Sequence, residues 1–306
     1  MAFIRTVLLL FFTFTLLQST SALNVLFFFP ISTYSHRIPV WPLVEGLANK
    51  GHNVTFVSPY PPKEPNPKIT EFAPQEMVKF VVDNEEGPVA FNMRKNKEID
   101  ASWWVLPHWG TTLCEMFLSS TDTKEWLKSS KFDLIVIDGL FNDCGLGLAH
   151  HFKARHMAYV TSTLFMWNYD AYGIPHEASW IPDMQYHYSE EMTFTERFWT
   201  TVNGIMWALD REYSYFPKLG EILRKGLNSS DLPPLRDIER NVSLVLMNSH
   251  FSEEFPRALP PLVVPVGGMH IKESQKPLPK VSCLHHVSTG NVIAGTNFHL
   301  ILLTGL

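Results

Sequence analysis

Between Leu23 and Pro59 the chain reads LNVLFFFPISTYSHRIPVWPLVEGLANKGHNVTFVSP, and few folds accommodate that pattern. Val25 to Phe29 is an unbroken apolar run closed by Pro30, as in a strand buried on both faces. Val40, Leu43, Val44 and Leu47 then recur at helical spacing. Pro39 and Pro42 are expected near the helix start, where a missing N–H is tolerated. Gly51 stands where a C-terminal cap belongs. Val54 to Val57 opens a second strand, and Pro59 closes it. Together these form a βαβ unit whose first loop lies at the carboxyl end of the first strand. Open α/β sheets bind ligands at that edge, and His36 is expected at the tip of the loop.

The rest of the chain continues the alternation. Further strands are predicted at Met77 to Val82, Leu134 to Ile137, Met157 to Val160, Val242 to Met247 and Val263 to Val266. Helices are predicted at Asp122 to Ser130, Gly145 to Phe152 and Thr193 to Arg211. A proline-rich loop, PPKEPNPK, follows Pro59, and Asp83 to Asp100 reads as a polar surface excursion. Strands alternating with helices predict an α/β fold with a doubly wound, mostly parallel sheet. No internal repeat or low-complexity tract interrupts it.

Met1 to Ala22 carries one early cation, Arg5, then an apolar run from Val7 to Leu17 and the small residues Thr20, Ser21 and Ala22. This reads as a secretory signal peptide, because the apolar run is too short to span a membrane. No later stretch is long and apolar enough to do so. Three N-x-S/T sequons, at Asn53, Asn228 and Asn241, agree with a luminal route. Asn228 is the favoured acceptor, since NSSDLPP reads as an exposed loop. The net charge of −5 and the lack of a basic run exclude nucleic acid as a partner. Three cysteines, Cys114, Cys144 and Cys283, allow one bridge whose pairing stays open, and no disulfide framework.

Two residues carry the chemical expectation. His36 follows the first strand and Asp138 ends a later one, so both belong at the same carboxyl-end edge. A carboxylate there fixes an imidazole's tautomer and stabilises the cation formed when the ring takes a proton. Histidine suits proton removal near neutral pH. The competing reading is a solvated loop histidine and a turn-forming aspartate. Asp143 is a rival partner, but it is expected to cap the helix beginning near Cys144. Trp103, Trp104, Trp109, Phe165, Trp167 and Tyr169 suit either a flat apolar pocket or ordinary core packing. Phe194, Phe198, Trp199 and Trp207 suit a membrane surface or a helix packed on the sheet. His150, His151 and His156 do not form a metal set, because adjacent helical histidines point apart and no cysteine or carboxylate completes them. No metal site is expected. No G-x-S-x-G occurs, which disfavours a serine hydrolase. Gly145 and Gly147 are too few for a dinucleotide loop.

The run STYSHRIPVWPLVEGLANKGHNVTFVSPYPP resembles the opening of the UDP-glycosyltransferase family, in its arthropod branch. The matching landmarks are Ser35-His36, Pro42-Leu43 and Gly51-His52-Asn53-Val54-Thr55. FDLIVIDGLFNDCGLGLAHHF from Phe132, EEMTFTERFW from Glu190 and NVSLVLMNSHFSEEFPRALPPLVVPVGGMH from Asn241 resemble later landmarks, in order. The resemblance runs from about Leu23 to Lys280. It implies the Rossmann-like, acceptor-binding half of a two-domain GT-B enzyme. Such enzymes move a sugar, glucose in the reading made here, from a UDP-sugar to a hydroxyl of a small lipophilic acceptor, with inversion. His36 would be the base and Asp138 its partner. Ser35, Trp103, Trp104, Phe165 and Trp167 would contact the acceptor. The half seen here would bind no cofactor, the UDP-sugar being a co-substrate. The resemblance also implies a glycoprotein of the secretory pathway, in the lumen of the endoplasmic reticulum, with a role in detoxification.

Three segments follow from this reading: a signal peptide at 1–22, the acceptor-binding domain at 23–280, and a tail at 281–306 unlike the family. Val281-Ser282 is what a splice-donor sequence encodes in frame, so the tail is expected to be intron read-through or an alternative last exon. The donor half and its membrane helix are expected to be missing, and the chain alone to be inactive. The alternative is a non-catalytic isoform that binds lipophiles or pairs with full-length family members and alters their activity.

Overall fold

The computed structural model describes residues 22–271, except 32, 63, 84–105, 184–185 and 187. The signal-peptide segment, Trp103, Trp104 and the tail with Cys283 therefore lie outside the described residues. Seven strands are described: β1 (Asn24–Phe28), β2 (Asn53–Val57), β3 (Ile69–Phe72), β4 (Leu134–Asp138), β5 (Arg155–Val160), β6 (Val245–Met247) and β7 (Val263–Pro265). They form one sheet in the order β3-β2-β1-β4-β5-β6-β7, and every pairing is parallel. The helices are α1 (Tyr34–Asn49), α2 (Gln75–Asp83), α3 (Leu106–Ser119), α4 (Thr121–Ser129), α5 (Cys144–Phe152), α6 (Tyr169–Tyr172), α7 (Phe194–Asp210), α8 (Phe216–Leu227) and α9 (Leu235–Arg240). Contacts group Met1–His270 into one unit and Ile271–Leu306 into another. Of the second, only Ile271 is among the described residues.

The central strand explains the apolar run that opened the sequence. Leu26, Phe27 and Phe28 are wholly buried, because β1 has a strand on each side and side chains on both faces. The pleat sends Leu26 and Phe28 to one face, beside Ile135 and Ile137 of β4. Val25, Phe27 and Phe29 go to the other, beside Val54, Phe56 and Val136. On that second face α1 lays down Val40 and Val44 of the helical stripe read from sequence, with Leu43 and Leu47 partly buried beside them and Ala48 added to the core. The first face is covered more deeply, by α3, α5 and α8, through Leu113, Phe117, Leu146, Leu148, Leu219 and Leu223. Helices on both faces of a parallel sheet make the doubly wound fold that was expected.

Glycines bring the helices close. A Cβ at Gly147 would lie 2.3 Å from Leu223 Cδ2, so a larger residue there would force the Leu223 side chain to shift where α8 packs on α5. The two cysteines whose pairing was open, Cys114 in α3 and Cys144 at the start of α5, form a disulfide with Cα atoms 5.5 Å apart.

Three expectations about elements need correction. Met77 to Val82 is not a strand but most of α2. Pro74 precedes this helix, Met77 is fully buried, and Phe80, three positions on, packs its ring on Trp109 of α3. That helical spacing outweighed the β-propensity of valine and phenylalanine. The strand itself is Ile69–Phe72, hidden in the sequence by Glu71, which an edge strand tolerates. Helix α1 begins at Tyr34, so His36 lies in its first turn and not at a loop tip, and Pro39 and Pro42 fall inside the helix. Neither proline can donate to the carbonyl four residues earlier. Those carbonyls belong to Ser35 and Ile38, both exposed residues.

The disulfide yields a measurable consequence. It closes a loop across 30 residues of sequence, which in the chain-entropy account is worth about 3–4 kcal/mol. The double variant C114A/C144A should lose stability of that order in urea denaturation. A reductant should lower the wild-type midpoint and leave the variant's unchanged.

Candidate active site

β1 and β4 are neighbours, yet the chain leaves them in opposite directions. After β1 it passes to α1 on one face, and after β4 to α5 on the other. That is the switch point of a doubly wound sheet, where a crevice opens at the carboxyl ends of the strands. His36, in the first turn of α1, and Asp138, the last residue of β4, meet there. The His36 Nδ1 lies 2.9 Å from Asp138 Oδ2. The carboxylate side chain is fully buried, while the imidazole keeps 16% of its surface. With Nδ1–H donating to Asp138, the lone pair on Nε2 is left for a proton. Thr161, just past β5, sets its Oγ1 3.0 Å from Nδ1 and 3.5 Å from Nε2. Burial pulls the His36 pKa down, but the Asp138 charge and hydrogen bond outweigh it and the pKa is raised.

The loop from Asp138 to Cys144 is anchored at nearly every residue. Phe141 takes a left-handed backbone conformation, φ 52°, which costs a non-glycine residue roughly 1–2 kcal/mol. Its ring is held against Trp167, Tyr215 and Trp207, with centroids 4.8, 5.3 and 5.8 Å away. That turn brings Asn142 back toward Asp138. Asn142 Nδ2 donates to Asp138 Oδ2 at 3.1 Å and to the Leu140 carbonyl at 3.0 Å. Its Oδ1 accepts from the Ile31 N–H at 2.8 Å.

Asp143 was expected to cap α5, but its side chain makes no capping hydrogen bond. It is drawn instead to Arg211, which donates to both carboxylate oxygens at 3.2 and 2.7 Å. The Tyr215 hydroxyl donates to it at 2.9 Å. Arg211 and Tyr215 both lie in a π-helical turn, Arg211–Tyr215, joining α7 to α8. Such a turn re-aims side chains within a continuous helix. Arg211 also pairs with Glu239 of α9.

On the far side of the crevice, Arg37 fixes the turn that carries His36. It holds Glu71 of β3 with both guanidinium nitrogens, reaches the Tyr60 carbonyl at 3.1 Å and lies over the rings of Trp41 and Phe56. Beside the crevice, Ile31, Leu106, Trp109, Leu113, Leu140 and Phe141 line an apolar pocket of about 160 Å³.

The other predicted residues are placed as follows. Ser35 is exposed, its hydroxyl 2.6 Å from that of Thr33. Phe165 and Trp167 are buried and stacked on each other at 4.4 Å, and the Trp167 indole donates to the Gly139 carbonyl. Core packing accounts for both. Trp109 is on the pocket wall, whereas the Tyr169 hydroxyl accepts from Arg257 at 2.7 Å. Phe194, Phe198 and Trp199 are exposed on α7, but Trp207 is 2% exposed and turns inward to Phe141 and Trp167. Asn53, Asn228 and Asn241 are all exposed. Among the described residues no three His, Cys, Asp or Glu side chains come together to hold a metal, and no helix is long and apolar enough to cross a membrane. Sequence reasoning missed Asn142, Thr161, the Arg37–Glu71 pair and Arg211. Each has a partner 34 to 125 residues distant, beyond any local spacing rule, although Asn142 also bonds Asp138 four residues before it.

Comparison with known proteins gives the following. Residues 24–293, continuing past Lys280, match the family model described as UDP-glucoronosyl and UDP-glucosyl transferase. UDP-glucosyltransferase 2 of Dactylopius coccus is 28% identical over 89% of this chain and 52% of its own length. UDP-glycosyltransferase UGT5 of the same insect is 31% identical over 82% of this chain and 48% of its own length. Mouse UDP-glucuronosyltransferase 1A7 is 26% identical over 80% and 47%. The chain thus spans about half the length of the curated relatives it matches. Among solved structures, spinosyn forosaminyltransferase SpnP aligns with a TM-score of 0.44 at 16% identity, covering 81% of this chain and 51% of that one.

The ion pair sets a pH signature. A folded-state pKa raised above the ordinary 6.5 means that protonating His36 contributes stability. That contribution is complete below the unfolded value and is lost as pH rises through the folded one. The stability difference between wild type and Asp138→Asn should therefore be larger near pH 5.5 than near pH 8.5, by chemical denaturation at each pH.

Proposed function

The chain belongs to the UDP-glucoronosyl and UDP-glucosyl transferase family, and from that premise we propose that it supplies the acceptor-side half of an inverting sugar transfer. The observation that carries the proposal is the 2.9 Å contact of His36 Nδ1 with Asp138 Oδ2 at the switch-point edge. In this reading His36 Nε2 removes the proton from an acceptor hydroxyl. The oxygen attacks the anomeric carbon of a UDP-sugar from the face opposite the nucleotide. The bond between that carbon and the UDP oxygen breaks, UDP leaves with the electron pair, and the configuration inverts. Asp138 keeps Nδ1 protonated and balances the imidazolium that forms. Glucose is the proposed sugar, following the name of an insect relative.

The acceptor's apolar part fits the pocket of Ile31, Leu106, Trp109, Leu113, Leu140 and Phe141. A volume of about 160 Å³ suits one aromatic ring, since a dry apolar cavity of about 150 Å³ binds benzene. A luminal, glycosylated protein is supported by the Cys114–Cys144 bridge and by three exposed sequons. Phe194, Phe198, Ile205 and Leu209 form an exposed apolar row on α7, supporting contact with a membrane surface. Exchanging Phe194, Phe198 and Ile205 for serine should then reduce sedimentation with phosphatidylcholine vesicles.

Catalysis needs a second wall to hold the sugar nucleotide, and positioning of that kind is worth on the order of 7–11 kcal/mol. Residues 24–271 purified by themselves are therefore expected to bind a phenolic acceptor, read by tryptophan quenching, without turning over UDP-glucose. Fusing residues 24–271 to the C-terminal half of the Dactylopius coccus relative should yield transfer. His36→Ala in that fusion should lower kcat by about 10²–10⁴. The rate should climb as pH rises through the His36 pKa, because the base must be neutral. A His36→Ala fusion as active as its parent would overturn the reading.

A further inference from the structure

We propose that Asn142 is a positioning residue of this site: its amide locks the Asp138 carboxylate toward His36 and ties the loop that carries Asp138 to the loop that carries His36. The proposal rests on the reading of His36 and Asp138 as a working pair, and extends it to a residue that sequence motifs did not single out.

Asn142 is 1% exposed, so its amide must find partners within the protein. The partners fix its orientation. The Ile31 N–H is a donor and must face Oδ1, at 2.8 Å. The Asp138 carboxylate and the Leu140 carbonyl are acceptors and must face Nδ2, at 3.1 and 3.0 Å. A side chain that accepts on one edge and donates twice from the other is an amide. Aspartate in the same shape would set a second carboxylate against Asp138, and leucine would offer nothing to either side.

The bonds join separate parts of the chain. Ile31 belongs to the turn between β1 and α1, five residues before His36, and is 111 residues from Asn142. Asp138 Oδ2 receives both Asn142 Nδ2 and His36 Nδ1. The oxygen that orients the imidazole is thus itself held by the amide. A second donor on the same oxygen restrains the rotation of the carboxylate further. Phe141, in its left-handed conformation, is the residue that turns Asn142 back into this place.

Asn142 also modulates charge. A hydrogen bond to Asp138 Oδ2 withdraws part of the negative charge that the ring feels. Removing it leaves more of that charge on His36, so His36 should bind its proton more tightly. Among the described residues the groups facing the ring are Asp138 from β4 and the Thr161 hydroxyl beyond β5. Tyr159 of β5 has its phenol pushed up by burial and by Asp138, and stays neutral. Arg37, next on α1, is turned onto Glu71.

The test is an NMR titration of the full chain, reading the His36 ring nitrogens and the Asn142 side-chain amide protons. In the wild type the Asn142 amide protons should shift with the same midpoint as His36, since both bond one oxygen. In Asn142→Leu the His36 midpoint should rise by roughly half a pH unit or more, and in Asn142→Asp it should rise further. The proposal is overturned if the wild-type amide protons stay flat through the His36 titration. It is equally overturned if folded Asn142→Leu and Asn142→Asp titrate as wild type does. Asp138→Asn separates the two levels: a lowered His36 midpoint in that variant upholds the pair even where Asn142 proves silent. An unmoved midpoint removes the pair, and the role of Asn142 with it. The wild-type amide readout needs no variant to fold.

Discussion

A carboxylate at the buried end of a parallel strand must be paired, because burying an unpaired charge costs more than most single contacts return. Asp138 is in that position, and it is paired across the sheet's switch point with a histidine from another element. This one contact sets much of what surrounds it. It requires α1 to start close to the end of β4, and it requires the loop after β4 to leave room for the ring. It also leaves the imidazole with one nitrogen committed inward and the other available, in a ring that keeps part of its surface. Pairing satisfies the buried charge, and in the proposed reading the same geometry readies a base.

The surrounding architecture holds both partners still. On the β4 side, four consecutive residues are tied down in four ways. Phe141 is locked by aromatic packing, Asn142 by hydrogen bonds, Asp143 by Arg211 and Tyr215, and Cys144 by its disulfide to α3. On the α1 side, Arg37 clamps the helical turn to β3 through Glu71. The strained backbone at Phe141 fits this picture. A conformation that costs roughly 1–2 kcal/mol persists where neighbours over-determine it, and such positions gather at working sites. Placement of a general base within hydrogen-bond reach of a substrate demands this kind of rigidity.

The sequence showed the frame well because the frame is built from local patterns. Apolar runs at β1 and β4, helical spacing along α1 and the strand-helix alternation are all short-range signals, and they located His36 and Asp138 on one edge. What escaped was governed by distant partners. Glu71 made an edge strand look unlike one, because its role is to receive Arg37 from 34 residues away. The valines of α2 looked like a strand until α3 supplied a surface for Met77 and Phe80. Asp143 carried every local mark of a helix cap, but Arg211 outcompeted the backbone N–H groups for it. Phe165, Trp167 and Trp207 show the ambiguity of aromatic residues: composition cannot tell a pocket wall from a core, and Trp167 stacks on Phe165 while Trp167 and Trp207 both pack on Phe141.

That aromatic cluster links the pocket to the proton machinery. Leu140 and Phe141 line the apolar pocket, and they occupy the same short loop as Asp138 and Asn142. A change at Phe141 made to reshape the pocket would therefore also disturb the turn that aims Asn142. Ile31 has the same double position, with its side chain on the pocket and its N–H on the Asn142 amide. Leu106, Trp109 and Leu113, on α3, have no bond to the pair and can vary without moving it. Selection for a new acceptor would then act first on the α3 wall, while the loop wall is restrained by its second task. Under the proposed reading, acceptor range and proton transfer would be separable on one side of this pocket and coupled on the other, because one short loop would serve both.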